Sequence, residues 1–295
     1  MTSIFHITGG LGKHILASDI INSFKDNFPE KEIIVSSAYP SVFERNPNVS
    51  ESLNLAKHQY FYKNYIFNKD VEIFAQEPYK QTSHITKTKH LVNTWCDMIG
   101  IKHTQTSSIH LNFRELEFTR NKLSQYGNKP ILVFQPFGGM PDDNQKYCWA
   151  RDIHPELAQK IVDKLQTEYT ILHICNPSHP QLQNCIRIDD RLNPNMLFAI
   201  LSLSTKRILI DSCLQHAAHA LNLPSLVIWN VTSPDQFGYF THNNITSHNE
   251  KLNGGINSYL FNYEIGGIIE ECPYQSYGDM FDVDTIMEHI DNNFL

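Results

Sequence analysis

Residues 208–230, ILIDSCLQHAAHALNLPSLVIWN, carry the clearest indication of fold class in this chain. An apolar strand opens the stretch, a helix begins after Asp211 and Ser212, and a second apolar strand is predicted at residues 226–229. Polar residues therefore gather at the carboxyl end of a strand, where open α/β sheets bind ligands. Asp211 and Ser212 either cap the helix or present a hydroxyl and backbone N–H groups to a phosphate. His216 follows about one turn later, close enough to share that ligand.

The alternation of strand and helix patterns extends over both halves of the chain. It is typical of doubly wound sheets. We predict an α/β fold of the GT-B type, with two Rossmann-like domains facing a central cleft, residues 1–127 and 128–295. Strands are expected at residues 4–8, 33–36, 52–55, 71–75, 131–135, 170–175, 186–188, 208–210 and 226–229, with strand-like pieces near 256–261. Helices are expected at residues 13–27, 42–47, 89–99, 115–126, 155–168, 194–203, after 213, and at 283–294.

Composition narrows the class of protein. The 295 residues, of which 41% are hydrophobic and 19% charged, suffice for two domains. A net charge of −7 and a pI near 6.1 argue against binding nucleic acid by bulk electrostatics. The six cysteines form no CxxC pair, so we expect them to be reduced in a cytoplasmic protein.

Membrane and metal signals are also missing from the sequence. Glycines at 9–10 interrupt the first apolar stretch, so no signal peptide is expected. No apolar run approaches the roughly 20 residues of a transmembrane segment. The 15 histidines show no HExxH or other metal spacing, so we expect neither a metal site nor a bound cofactor.

Three further stretches place polar residues or glycines at predicted strand ends. Residues 8–14, TGGLGKH, are not a P-loop, but Gly10 and Gly12 would let a ligand approach a helix N-terminus. In residues 136–151, backbone N–H groups can form an anion nest and two cations can bind phosphate, or the stretch is a surface loop anchored by a tryptophan. Asn176 ends the strand whose edge reaches a ribose or base in nucleotide sites. The candidates in residues 136–151 are Gly138, Gly139, Lys146 and Arg151.

Residues 211–224 resemble the donor-binding motif of the ADP-heptose:lipopolysaccharide heptosyltransferases, a glycosyltransferase family 9-like group of GT-B enzymes. Asp211, Ser212 and His216 match its D-[ST]-G-x-x-H pattern, while Cys213 replaces the glycine. Residues 9–18 are similar to the family's GxxGDxL motif, and residues 136–151 to its PG–KxW arrangement. The resemblance implies a nucleotide-diphospho-sugar donor in the C-terminal domain and a glycan or other hydroxyl acceptor in the N-terminal domain. Transfer would proceed without a metal ion.

One departure from the family concerns the catalytic base. Lys13 stands where the family has a proposed aspartate base, and a lysine ordinarily holds its proton at neutral pH. Lys13 would neutralise donor phosphate or an anionic acceptor, or is a solvated first-turn residue. The remaining candidates for the base are His14 and Asp19. Use of another carboxylate, or transfer with retention, stays open.

Other functions stay open on the sequence alone. One is a sugar-nucleotide epimerase of the GT-B type, and another is a non-catalytic nucleotide-sugar-binding module. A DNA-base glycosyltransferase is a third, although the net charge is against it. The aromatic run YFYKNYIF at residues 60–67 would stack on a sugar or base, or form core with a half-exposed loop. The sugar, nucleobase, acceptor and oligomeric state are not specified by the sequence.

Overall fold

The chain forms two compact α/β units. The structure, a computed structural model, describes residues 1–138, 149–188, 193–247 and 275–292. The units are Met1–Asn112 and Phe113–Leu295. Each contains one sheet in which every described pair of neighbouring strands is parallel. The α/β fold with parallel sheets predicted from the alternating pattern is confirmed.

The first unit has a four-stranded sheet. Its strands are β1 (Thr2–Ile7), β2 (Glu32–Ser37), β3 (Glu51–Leu53) and β4 (Val71–Phe74), and its helices are α1 (Leu11–Asn27), α2 (Thr82–Ile85) and α3 (Leu91–Met98). Short 3₁₀ turns lie at Pro40–Val42, Leu55–Lys57 and Pro78–Lys80. The strand order is β3-β2-β1-β4. The chain therefore winds outward from β1 in one direction and then returns to its other side, which makes the gap between β1 and β4 a topological switch point.

Helix α1 is buried on all sides. An apolar face packs on the sheet, where the rings of Phe5 and Phe24 meet edge to face at 5.1 Å. The opposite face is covered by residues 102–108. The amide of Asn22 donates to the carbonyl of Thr106 at 2.9 Å, and the hydroxyl of Ser23 accepts from backbone N–H groups in the same segment at 3.1 and 3.2 Å. Polar residues of α1 thus bind a neighbouring segment.

The second unit has a six-stranded sheet. Its strands are β5 (Ile131–Phe134), β6 (Thr170–Ile174), β7 (Ile186–Ile188), β8 (Lys206–Ile210), β9 (Leu226–Trp229) and β10 (Asn243–Thr246). Its helices are α4 (Phe113–Leu123), α5 (Pro155–Leu165), α6 (Pro194–Leu203), α7 (Cys213–Ala220), α8 (Pro234–Phe237) and α9 (Val283–Asn292), with 3₁₀ turns at Ser124–Tyr126 and Tyr277–Asp279. The order β10-β9-β8-β5-β6-β7 is the Rossmann arrangement, with its switch point between β5 and β8.

Packing of α4 determines where the two units divide. The side chain of Asn195 on α6 donates to Glu115 on α4 at 2.9 Å, so α4 packs within the second unit. The two units therefore divide between Asn112 and Phe113, earlier than the boundary at 127 that the sequence predicts. The main core of this unit contains Phe134, Leu157 and Ile286, all fully buried.

Several elements differ from their predictions. The helix expected at 42–47 is only the 3₁₀ turn Pro40–Val42. Strand β10 was not predicted, because its sequence NNIT is rich in asparagine, which is depleted in strands, and only Ile245 is buried. Residues Tyr62–Ile66 form a π-helix with no buried residue, so the aromatic run is not core. The strand-like pieces expected near 256–261 lie outside the described residues.

Candidate active site

Both switch points place a helix N-terminus at the carboxyl edge of a sheet. Helix α1 follows β1 in the first unit, and α7 follows β8 in the second. Gly10 precedes α1 and Ser212 precedes α7, and neither helix receives a side-chain cap from that residue. Backbone N–H groups of a first helical turn have no partner within the helix and carry partial positive charge, so both ends suit an anionic ligand.

The turns after β5 and β8 approach each other closely at the second switch point. A Cβ placed on Gly138 would lie 3.0 Å from Ser212 Oγ and 3.1 Å from Ser212 Cβ. The Gln135 amide donates to the same hydroxyl at 3.2 Å. Ser212 therefore links the two strands beside the helix, and only a glycine lets the backbones approach this closely.

A cation sits beside this turn. The guanidinium of Arg151 donates to the carbonyl oxygen of Gly138, and its Nε lies 3.7 Å from Asp152, which in turn accepts from the Gly138 N–H at 3.0 Å. Burial raises the pKa of the Asp211 carboxyl, and the Thr232 hydroxyl and the Arg151 guanidinium oppose that rise. The predicted residues Gly138, Arg151, Asp211 and Ser212 are thus brought together.

His216 lies inside a cluster of rings and amides. It is 4% exposed, and its Nδ1 is 2.9 Å from the Tyr239 hydroxyl. The Tyr239 ring also stacks on His219 at 3.6 Å, with an interplanar angle of 7°. The Gln215 amide, fully buried, lies 3.0 Å from His216 Nδ1 and donates to the carbonyl of Phe237 at 3.0 Å. These contacts fix the orientation of the His216 imidazole.

The other predicted donor-binding residues are less closely connected. Cys213 is the first residue of α7 and accepts from the Ser212 hydroxyl at 3.9 Å, and burial raises the pKa of its thiol. Asn176 follows β6, and its backbone carbonyl accepts from Arg187 at 2.9 Å. Gly139 and Lys146 lie outside the described residues. Their assignment to the donor stays a prediction.

Glycines shape the turn between β1 and α1. Gly9 has a φ of +95°, a conformation that other residues rarely adopt, and its Cβ position lies 3.3 Å from Lys13 Cδ. Gly10 precedes the helix, and a Cβ there would meet nothing within 4 Å. Gly12 lies in the first turn of α1. The backbone at Gly10 is therefore open to a ligand.

Lys13 is buried and paired. It is 6% exposed, and its Nζ lies 2.6 Å from Oε2 of Glu77, in the segment that follows β4. The ammonium also lies 5.8 Å from the Tyr79 ring and 5.7 Å from the Trp95 ring, within the range of a cation–π contact. The expectation of a solvated first-turn residue is wrong, since Lys13 is buried and in contact with three side chains.

The two candidates for the base, His14 and Asp19, are engaged within the first unit. His14 is fully buried, with Nδ1 2.8 Å from the carbonyl oxygen of Gly10 and Nε2 3.2 Å from that of Ile7, and burial lowers its pKa. Asp19 is 2% exposed and lies 2.8 Å from Nε2 of His103. Burial raises the Asp19 pKa. These positions suit holding the turn and the 102–108 segment in place, and speak against contact with an acceptor hydroxyl.

Glu77, Gln135 and Tyr239 were missed by sequence reasoning. Glu77 follows β4 at the switch point of the first sheet, and Gln135 follows β5 at the switch point of the second. Knowledge of the strand order would therefore have indicated both residues. Tyr239 follows α8, in a stretch that the sequence marks only as irregular.

The described residues contain neither a cluster of metal ligands nor a membrane-spanning helix. No group of three or more His, Cys, Asp or Glu side chains there could hold a metal ion. No helix in the described part of the chain has the length and apolar character needed to cross a membrane.

Comparison with known proteins gives structural neighbours. No protein-family model matches the chain, and no curated protein matches its sequence. A glycosyl transferase family 9 protein from Veillonella parvula superposes with a TM-score of 0.68 at 14% identity, covering 98% of this chain and 96% of that one. ADP-heptose lps heptosyltransferase II from E. coli gives a TM-score of 0.61 at 13% identity, covering 83% and 90%.

A third neighbour is TibC, an iron-containing dodecameric glycosyltransferase from enterotoxigenic E. coli. It gives a TM-score of 0.66 at 11% identity, covering 99% of this chain and 75% of that one. A second TibC structure, in complex with ADP-D-beta-D-heptose, gives 0.63 at 11% identity and covers 100% and 76%. At such low identity the likeness concerns the fold, and the chain has the α/β fold of these GT-B heptosyltransferases.

Proposed function

We propose that the protein is a glycosyltransferase that moves a sugar from a nucleotide-diphospho-sugar to an acceptor hydroxyl. The observation that carries the proposal is the close approach of Gly138 to Ser212 at the switch point of the second unit, beside an uncapped helix and Arg151. This edge combines a hydroxyl, backbone N–H groups and a guanidinium, which are the groups that bind a diphosphate.

The same groups would assist departure of the nucleoside diphosphate. Negative charge grows on the leaving phosphate as the bond to the anomeric carbon breaks. The N-terminus of α7, the Ser212 hydroxyl and Arg151 would stabilise that charge. His216, oriented by Tyr239, lies on the same helix and would add a further hydrogen bond to a phosphate oxygen.

We further propose that transfer needs no metal ion. TibC is an iron-containing protein, but the described residues of the present chain bring no set of three metal ligands together. Charge neutralisation would come from side chains and helix ends. Activity is therefore expected to survive EDTA, and complete loss restored by Mg²⁺, Mn²⁺ or iron would refute this part of the proposal.

The choice of donor can be tested by thermal unfolding with a panel of nucleotide-diphospho-sugars. ADP-sugars come first in the panel, because one TibC structure contains ADP-D-beta-D-heptose. A donor present at 100 times its Kd should add about 2.7 kcal/mol of stability. Product analysis then separates the alternatives, since an epimerase would release an isomer of the sugar nucleotide and a binding module would release nothing. A panel in which no sugar nucleotide raises the Tm would refute the proposal.

A further inference from the structure

The proposed transfer needs a group that accepts the proton of the attacking hydroxyl. Neither His14 nor Asp19 is placed for this task, because both are engaged in contacts within the first unit. Lys13 is an ammonium bound to a carboxylate. The carboxylate bound to it belongs to Glu77.

Glu77 lies at the switch point of the first unit. It follows β4 at the carboxyl edge of the sheet, next to the turn between β1 and α1. Its side chain is 37% exposed, and Oε2 lies 2.6 Å from the Lys13 ammonium. The second oxygen, Oε1, is buried and has no hydrogen-bond donor among the described residues. A buried carboxylate oxygen without a donor is costly, so it is suited to receive one from a bound hydroxyl.

We propose that Glu77 is the general base of the reaction, an assignment that rests on the proposed glycosyltransferase function. The acceptor hydroxyl donates its proton to Glu77 as its oxygen forms a bond to the anomeric carbon. The bond from that carbon to the diphosphate oxygen breaks, and the nucleoside diphosphate leaves with the electron pair. Glu77 then returns the proton to solvent. The carboxylate thus comes from the segment after β4, and α1 supplies the residue that binds it.

Lys13 is a positioning residue in this arrangement. Its ammonium binds Oε2 of Glu77 and so fixes the orientation of the carboxyl group, and the Tyr79 and Trp95 rings lie within about 6 Å of the ammonium. Burial lowers the pKa of nearby His84 to about 4, so this imidazole is neutral near pH 7 and does not compete for Glu77 as a cation. Lys13 is therefore the cation that binds Glu77 and positions it.

The test compares Glu77→Gln with Glu72→Gln. Glu72 is a matched control, because it lies on β4 and also binds a lysine, Lys31, at 2.5 Å. The probe reaction is release of nucleoside diphosphate from ADP-heptose, or from whichever sugar nucleotide the panel identifies, with water as the acceptor. Glu77→Gln should lower kcat about 10²–10⁴-fold and leave the Kd for ADP unchanged. Glu72→Gln should change neither value by more than about twofold, because Glu72 lies on β4 and is bound by Lys31 and Ser3 rather than at the turn between β1 and α1.

Three outcomes are informative. A Glu77→Gln variant that keeps more than about a tenth of kcat overturns the assignment while the proposed function stands. An unmodified chain that binds a sugar nucleotide and never releases nucleoside diphosphate refutes the transfer chemistry, and the assignment with it. If Glu77→Gln does not fold, Lys13→Met with Glu77→Leu removes both charges together and leaves neither unpaired. This double variant should bind ADP and be inactive, and activity in it would overturn the assignment.

Discussion

Substituting Gly138 by alanine tests the geometry of the donor edge directly. The added Cβ would lie 3.0 Å from Ser212 Oγ, 3.1 Å from Ser212 Cβ and 3.2 Å from Ile210 Cδ1. Ordinary carbon contacts lie at about 3.5–4.0 Å, so these three atoms of two residues must move by several tenths of an ångström. Overpacking of this kind costs about 1–3 kcal/mol. The Ser212 hydroxyl can rotate away, but its Cβ is fixed to the backbone, so relief is incomplete.

The assay is urea unfolding of four variants. Gly138→Ala should lower the free energy of unfolding by about 1–3 kcal/mol. Gly10→Ala is the matched control, because its Cβ would meet nothing within 4 Å, and it should be neutral or slightly stabilising. Ser212→Gly removes two of the three close contacts, so the double variant Gly138→Ala with Ser212→Gly should be less destabilised than the sum of the single changes. The close approach would be refuted if the effects of the two substitutions on the free energy of unfolding were strictly additive, or if Gly138→Ala left that free energy unchanged.

Further predictions concern charge and pH. His216→Ala should weaken ADP binding by at least about 1.5 kcal/mol in calorimetry, and unchanged affinity in a folded variant would remove His216 from the site. Lys13→Ala should lower the free energy of unfolding by about 1.5–3 kcal/mol. Lys13→Asp should lower it further and not raise turnover, because it turns a second carboxylate toward Glu77; higher turnover in steady-state kinetics would contradict the ion-pair role. Burial lowers the pKa of His173 from 6.5 to about 4, with Arg187 nearby adding to the effect. The unfolded chain then binds more protons between these values, so stability falls as pH drops through that window, by roughly 3 kcal/mol at most. In urea unfolding, the free energy of unfolding should fall less between pH 7 and pH 5 in His173→Gln than in the unmodified chain. An equal fall in both would contradict the role of His173 in this pH dependence.

Local patterns in the sequence predicted much of the second unit. Continuous apolar runs correctly predicted strands β5, β6, β8 and β9, because parallel strands that are buried on both faces carry apolar residues along their length. The position of Asp211 and Ser212 at a strand end also followed from the pattern, and the structure places both beside Gly138 and Arg151. These elements are specified within a few residues of sequence, so no knowledge of distant contacts was needed.

Contacts between distant residues were beyond this reasoning. Lys13 and Glu77 are 64 residues apart, and nothing near either one indicates the other. Likewise, the polar side of α1 suggests a solvated face, yet Asn22 and Ser23 bind residues 102–108. The sequence gives the type of each side chain, whereas its partner is determined by strand order and by which segment covers the helix.

The strand order has a consequence for the time course of folding. β1 lies inside the first sheet but pairs on one side with β4, with Thr2 opposite Val71. During synthesis, β1 can pair with β2 early and must expose its other edge until β4 has been made. β5 is in the same position in the second sheet, since Leu132 lies opposite Lys206 on β8. Each unit therefore closes its sheet by a long-range step, which slows folding and leaves an open strand edge where association with a chaperone or another chain can compete.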